Sequence, residues 1–271
     1  MRVVRVTPEN EREFGEKIRA LEASANYPLG DDRFRLDHGP DYFAFFRRLG
    51  HLRTYAAVVD GRVACVASGV IRSVRQADGS VVRAWYLCDL KVDPGFHGRH
   101  LPARLFGRVF LFNYLRCPRA FAVTMNRGGG HPNGVVRILQ RLPWIPLRLV
   151  GELVFYVWSE DELLKMALWL NKEIGVCRFR SLSGIKDLIL ESSGQSWPLY
   201  HVEGRHCLLG IEGGKLALRP VPGAAHMLCL PRGSKLDQRL KAEGCRNTAT
   251  ASIVAHRMNA ADWSFLASSE I

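Results

Sequence analysis

A chain of 271 residues, 47% hydrophobic and 24% charged, suits one large globular domain or two small ones, and its composition excludes disordered, collagen-like and disulfide-scaffold classes. The formal net charge of +12 favours anionic partners: a phosphorylated cofactor, nucleic acid or an acidic membrane surface. Seven cysteines are scattered singly with no CxxC pair, MRVVRVTPENEREF lacks the apolar run of a signal peptide, and stretches such as LVFYVW are too short to cross a bilayer, so the expected location is the cytoplasm.

MRVVRV reads as the first strand. Thr7-Pro8-Glu9-Asn10-Glu11 reads as a helix start, with a Thr cap, Pro in the first turn and acids at the positive end of the dipole; the helix runs to about Ala23. Residues 24–40 are loop-like, and DYFAFFRRLG is a short helix ended by Gly50. RTYAAVV, RVACVASGVIRSV and VVRAWYLCDLKV follow as a β-meander, joined by Asp60-Gly61 and by Ala77-Asp78-Gly79-Ser80. Leu101, Leu105, Val109 and Phe112 then put one apolar stripe on a helix. AFAVTM reads as a buried strand, and a crossover helix predicts that it runs parallel to WYLCDLKV.

HPNGVVRILQRL is the next helix, LRLVGELVFYVW a strand, and DELLKMALWLNKEI a helix. Residues 181–198 form a weakly patterned connector. The tail restarts as strands HCLLGIE, KLALRPV and HMLCLP, a helix SKLDQRLKAEG and a strand TATASIVAHRM. The expected division is a first domain over residues 1–158, a helical connector over 159–195 and a smaller α/β lobe over 196–271. The helix-then-strand ending of that lobe repeats the ending before residue 158, which points to a partial second copy of the first unit.

The segment between the third meander strand and the helix, DPGFHGRHLPARL, carries the functional reading. The first backbone N–H groups of a helix have no internal partner, and with the helix dipole they form an anion site. Gly98 admits close backbone approach, Arg99 and Arg104 add positive charge, and Pro102 suits a first helical turn.

This order of elements resembles the GNAT superfamily of acyl-CoA N-acyltransferases over roughly residues 1–158. Val92-Asp93-Pro94 stands where the family has V-x-P. His97-Gly98-Arg99-His100-Leu101-Pro102 stands for its pyrophosphate loop R/Q-x-x-G-x-G/A, with His97, His100 and Pro102 replacing the marked residues. The resemblance implies an α/β fold of the α+β type: a mixed, mostly antiparallel central sheet flanked by helices, with the smaller C-terminal lobe beside it. It implies transfer of an acyl group, most often acetyl, from CoA to an amine by direct attack on the thioester. A longer acyl chain from CoA or a carrier protein, and a non-catalytic binding protein, are the alternatives. Backbone groups of Leu90, Lys91 and Val92 would meet the pantetheine arm, and those of His97, Gly98, Arg99, His100, Leu101 and Ala103 the pyrophosphate. Asn126, at the end of the parallel strand, and Asp89, as a base, are the candidate catalytic residues, a strand-held water being the other base. The family's leaving-group Tyr would fall near Gln140, and that helix has none. The expected co-substrate is acetyl-CoA or another acyl-CoA; the expected partners are a small-molecule amine and, in a homodimer, a second copy of the chain.

His97-x-x-His100 is at most half of a metal set, and no four-ligand spacing completes it, so no metal is expected. No zinc-finger, RNP-type or clear helix-turn-helix pattern accompanies the basic residues, so nucleic acid is not expected, and no GxSxG elbow supports a hydrolase.

Overall fold

The computed structural model describes all residues except 24, 30–31, 77, 127–132, 142–144, 206–212 and 259–262. The expected strand HCLLGIE, and the loop after Asn126, lie outside the described residues.

Strand β1 (Arg2–Val6) leads into helix α1 (Glu11–Glu22). The helix begins later than the sequence predicts: Asn10 is its cap residue, and the Asn10 Oδ1 accepts from the Thr7 backbone N–H at 2.9 Å. Residues read as loop instead contain β2 (Tyr27–Leu29) and β3 (Asp32–Asp37). They form a small sheet, ordered β10-β3-β2, with β10 (Asp187–Leu190), which lies in the expected connector. Helix α2 (Ala44–Arg47) follows.

The meander is as predicted: β4 (His51–Val59), β5 (Arg62–Arg75) and β6 (Val81–Val92). Asp60 (φ 50°) and Gly61 (φ 77°) both take positive φ, which a tight two-residue hairpin demands. Helix α3 (Leu101–Arg116), β7 (Ala120–Met125), α4 (Gly134–Arg141), β8 (Arg148–Trp158) and α5 (Glu160–Ile174) continue the chain. The C-terminal part holds β9 (Arg178–Ser181), β11 (Leu199–Glu203), β12 (Lys215–Ala217), β13 (Ala225–Pro231), α6 (Lys235–Ala242) and β14 (Ala249–His256). No helix among the described residues is long and apolar enough to cross a membrane.

One 11-stranded sheet runs through the molecule in the order β1-β4-β5-β6-β7-β14-β8-β13-β11-β9-β12. The pairs β6/β7 and β11/β13 are parallel, and the pairs joining the other strands are antiparallel. The six central strands are arranged symmetrically. The first half supplies β6, β7 and β8; the second supplies β11, β13 and β14. Each half's last strand sits beside the other half's middle strand, so β14 pairs with β7 and β8 with β13. The sheet therefore crosses the sequence division at residue 158 without a break. Ile253, Val254 and Ala255 of β14 are buried whichever face they point to, as a central strand requires.

The two faces of the first half are covered differently. Leu101 and Leu105 of α3 pack on Ala57, Ala64 and Cys65. Phe14, Ile18 and Leu21 of α1, with Phe45 and Phe46 of α2, pack on the opposite face against Val66, Val70 and Tyr86. From Cys65 onward, past a bulge at Ala64, alternate residues of β5 thus face α3 or α1 and α2. The second half is anchored at α6, where the buried Asp237 carboxylate accepts from Tyr156 Oη (2.6 Å), Gly233 N (2.6 Å) and Lys241 Nζ (2.7 Å). Burial alone would raise the pKa of that carboxyl group; the Lys241 and Tyr156 hydrogen bonds outweigh it and hold it below its ordinary value.

Candidate active site

Strands β6 and β7 pair only at Trp85↔Ala120 and Tyr86↔Phe121. Beyond Tyr86 they diverge, and the β7-facing edge of β6 has no strand partner. In the same stretch β6 carries a bulge: Gly69 opposes Leu87 and Ser68 opposes Asp89, leaving Cys88 extra. The extra residue changes which face receives the next side chains. Trp85 and Leu87 point towards α3, whereas Asp89 and Lys91 join Tyr86 on the face of α1 and α2.

There they enter a buried polar cluster. Asp89 accepts from the Tyr42 hydroxyl and from Lys91 Nζ; Lys91 Nζ lies 3.1 Å from Glu22 Oε1 and 3.2 Å from Tyr42 Oη. His38 Nδ1 lies 2.8 Å from Glu22 Oε2. Burial pushes the Tyr42 hydroxyl well above its ordinary pKa, and the Asp89 and Glu22 charges push the same way. For Lys91, burial favours the neutral amine, but Asp89 and Glu22 outweigh it and the ammonium is strengthened.

A cavity of about 890 Å³ opens at the divergence and is lined from both faces of the sheet. Towards α3 and α4 its wall is an aromatic ladder on one face of α3: Phe106 and Phe110 (5.1 Å between centroids), then Tyr114 (5.3 Å), then His256 of β14 (5.9 Å). On the opposite face the lining is Tyr27, Leu29, Phe34, Leu36, Phe45 and Phe46, with Lys186 and His201 further in. Asp89 is the one side-chain carboxylate among the described residues that line it. Burial lowers the Lys186 amine to about 8, and Lys186 lies over the Phe45 ring. Burial, and then the Lys186, Arg48 and Arg180 charges, lower His201 to about 3, so it is neutral. Its Nδ1 lies 3.0 Å from Ser268 Oγ, which itself donates to the Met227 carbonyl. A hydroxyl has one hydrogen, so His201 carries its proton on Nδ1 and its lone pair on Nε2.

The anion loop is on the rim. Asp93 Oδ1 accepts from Gly95 N at 2.8 Å and caps a single 3-10 turn, Pro94–Phe96. Gly98 (φ 78°) and His100 (φ 53°) then take left-handed conformations, so a bulky residue replaces glycine at His100 with backbone strain. The N–H groups of Gly98, His100, Leu101 and Ala103 have no hydrogen-bond partner among the described residues. His97, Gly98, Arg99 and His100 are exposed, Arg99 over the Phe96 ring. Of the residues expected to contact a cofactor, Leu90, Lys91, His100 and Ala103 line the cavity, while Val92, His97, Gly98, Arg99 and Leu101 do not.

Asn126 is committed elsewhere. Its Nδ2 donates to Thr250 Oγ1 (3.0 Å), and its Oδ1 accepts from Ser252 Oγ (2.7 Å) and Asn133 Nδ2 (3.0 Å). Asn133 Oδ1 in turn accepts from Val136 N and starts α4. The pair locks the end of β7 to β14 and does not line the cavity. Helix α4 has no tyrosine; the tyrosines that line the cavity are Tyr27, Tyr55, Tyr86 and Tyr114.

No protein-family model matches the chain, and no curated protein sequence matches it. Solved structures do. A conserved protein of unknown function from Enterococcus faecalis V583, described as a probable N-acyltransferase, matches 95% of this chain and 73% of its own at 9% identity, with a TM-score of 0.51. A tandem GNAT protein from the clavulanic acid biosynthesis pathway matches 96% of this chain and 100% of its own at 8% identity, also with a TM-score of 0.51. With the divergent parallel strands, the bulge and the glycine loop ahead of α3, these likenesses establish that the chain has the GNAT fold.

Proposed function

We propose that the protein is an acyl-CoA-dependent N-acyltransferase. The observation that carries this reading is the divergence of β6 from β7, which joins a rim of unpartnered N–H groups before α3 to a buried cavity in which Asp89 is the one side-chain carboxylate among the described residues. Unpartnered N–H groups at a helix N-terminus suit a pyrophosphate, and the free edge of β6 suits an extended pantetheine arm. The amine nitrogen attacks the thioester carbonyl, the C–N bond forms, the C–S bond breaks and the thiolate leaves. Asp89 takes the ammonium proton, and the Lys91 ammonium lies against that carboxylate. His201 at about 3 is too weak a base for that step; its Nε2 serves as a hydrogen-bond acceptor.

An acetyl group is the expected donor, but the cavity favours a longer chain. Its volume of about 890 Å³ is that of a site enclosing a drug-sized ligand, and its lining is mainly aliphatic and aromatic. Each buried methylene contributes about 0.8 kcal/mol, so affinity rises about fourfold per carbon until the chamber is full. The second half of the chain is read as a partial second GNAT unit, because β11, β13, α6 and β14 repeat the order and the parallel pairing of β6, β7, α4 and β8.

Thermal stabilisation by CoA and by acetyl-, butyryl-, octanoyl- and dodecanoyl-CoA tests both statements. Stabilisation that grows with chain length is expected, and none by any of them at hundreds of micromolar removes the donor. Open space surrounds the Cα of Gly98, so Gly98→Glu should eliminate binding by strain and charge repulsion; unchanged affinity would assign the loop another role.

A further inference from the structure

Beneath α3 the cavity is lined by a buried cation with no counter-charge among the described residues. Arg53 of β4 lines the cavity and is 4% exposed. No carboxylate among the described residues lies within ion-pair distance of it. Its Nη1 donates to Asn113 Oδ1 at 3.3 Å, its guanidinium carbon lies 5.2 Å from the Phe112 ring centroid, and its Nε has no acceptor. A guanidinium does not discharge itself by losing a proton. The partial negative end of α3 and the Phe112 face compensate it only in part.

The surroundings form a receptacle. Arg53, Gly69 and Leu87 lie on one cross-strand row of β4, β5 and β6. Two strand spacings put Arg53 about 10 Å from the point where β6 leaves β7. Between them β5 presents only Ala67 and Gly69 towards α3, and Trp85 closes over Gly69: a Cβ there would sit 3.2 Å from the indole. The Trp85 Nε1 is held by the Asn113 carbonyl at 3.1 Å, and Tyr55 Oη lies beside the Asn113 side chain. This part of the cavity thus has apolar walls and a cation with fixed donors.

We propose that this part of the cavity receives a carboxylate carried at the far end of an apolar arm of one substrate, with Arg53 as its counter-ion. Planar carboxylates match the two-pronged guanidinium edge, and the pair gains strength in a dry pocket. The carboxylate belongs either to the acyl group or to the acceptor amine. That assignment to a substrate rests on the acyl-transfer reading; the carboxylate chemistry itself does not.

Isothermal titration of the intact protein with octanoate and octanol, at fixed ionic strength, separates the two. Octanoate should bind at least ~10-fold tighter than octanol, and Arg53→Met should remove the difference while Lys186→Met retains it. No difference in the unmodified protein, or a difference that survives Arg53→Met, overturns the proposal. If Arg53→Met does not fold, Arg53→Lys, which keeps the charge and loses the two-pronged edge, should reduce the preference, and the unmodified comparison stands without any variant. Turnover of glutaryl-CoA against pentanoyl-CoA, and of β-alanine against propylamine, identifies the carrier. A preference in either pair that disappears in Arg53→Met supports the site, and a preference in neither overturns its role in substrate recognition.

Discussion

His201→Gln should make the protein more resistant to acid, and the size of the effect follows from where the imidazole sits. His201 is buried, neutral, and holds its proton against Ser268. Its ordinary pKa of 6.5 falls to about 3 in the fold, because burial and then the Lys186, Arg48 and Arg180 charges oppose a second proton. Between those values the unfolded chain carries a proton that the folded chain refuses, so stability falls as pH falls; above 6.5 neither form carries it and the group contributes nothing. At about pH 4.5 the penalty is two pKa units, or about 2.7 kcal/mol, a large part of the 5–15 kcal/mol typical of a domain. Gln donates to Ser268 but does not titrate. Urea denaturation of both proteins at about pH 7 and about pH 4.5 isolates the effect, since every other titrating group is common to both. The unmodified protein should lose about 2.5 kcal/mol more than the variant between the two. Equal losses would mean that His201 protonates freely in the folded state, and the neutral, Nδ1-protonated ring would be wrong.

Asp89→Asn should lower kcat by about 10²–10⁴-fold with little change in the KM for acyl-CoA, because Lys91 keeps Glu22 and the cluster stays assembled. A loss below about fivefold would leave the proton transfer to another group. A fragment of residues 1–158 should be insoluble or aggregate on size-exclusion chromatography, since it exposes the edges of β7 and β8 that β14 covers; a monodisperse, cooperatively folding fragment would show that the first half is self-sufficient.

The meander was legible because its signals are local: Asp60-Gly61 sets the hairpin and apolar runs flank it. The parallel placement of β7 was legible because a helix separates it from β6. The small sheet was not. Residues Asp32–Asp37 alternate weakly among charges, and their partner Asp187–Leu190 lies some 150 residues away. The exchange of β8 and β14 is equally non-local, since no feature of either strand names its neighbour. At the site, the loop before α3 and Asp89 could be read from the order of elements. Tyr42, Glu22, His38, Lys186, His201 and Arg53 could not, because each looks like an ordinary surface or core residue until the chain brings it to the cavity. Asn126 was legible as a polar residue at a strand end, but its partners Thr250 and Ser252 are not.

The extra residue in β6 also sets how this strand can change. Substituting Cys88 leaves the count of residues intact and alters only local packing. Removing Cys88 would restore a regular ladder with Asp89 and Lys91 still facing α1 and α2, whereas removing Leu90 would put Lys91 opposite Ala67, on the α3 side, and drop Val92 beside Glu22. One missing codon at Leu90 would exchange the ammonium beside the acid for an alkyl chain while leaving every strand in the sheet. The strand is therefore tolerant of a new length only at the bulge, and insertions or deletions between Asp89 and Val92 should be far rarer in active variants than substitutions.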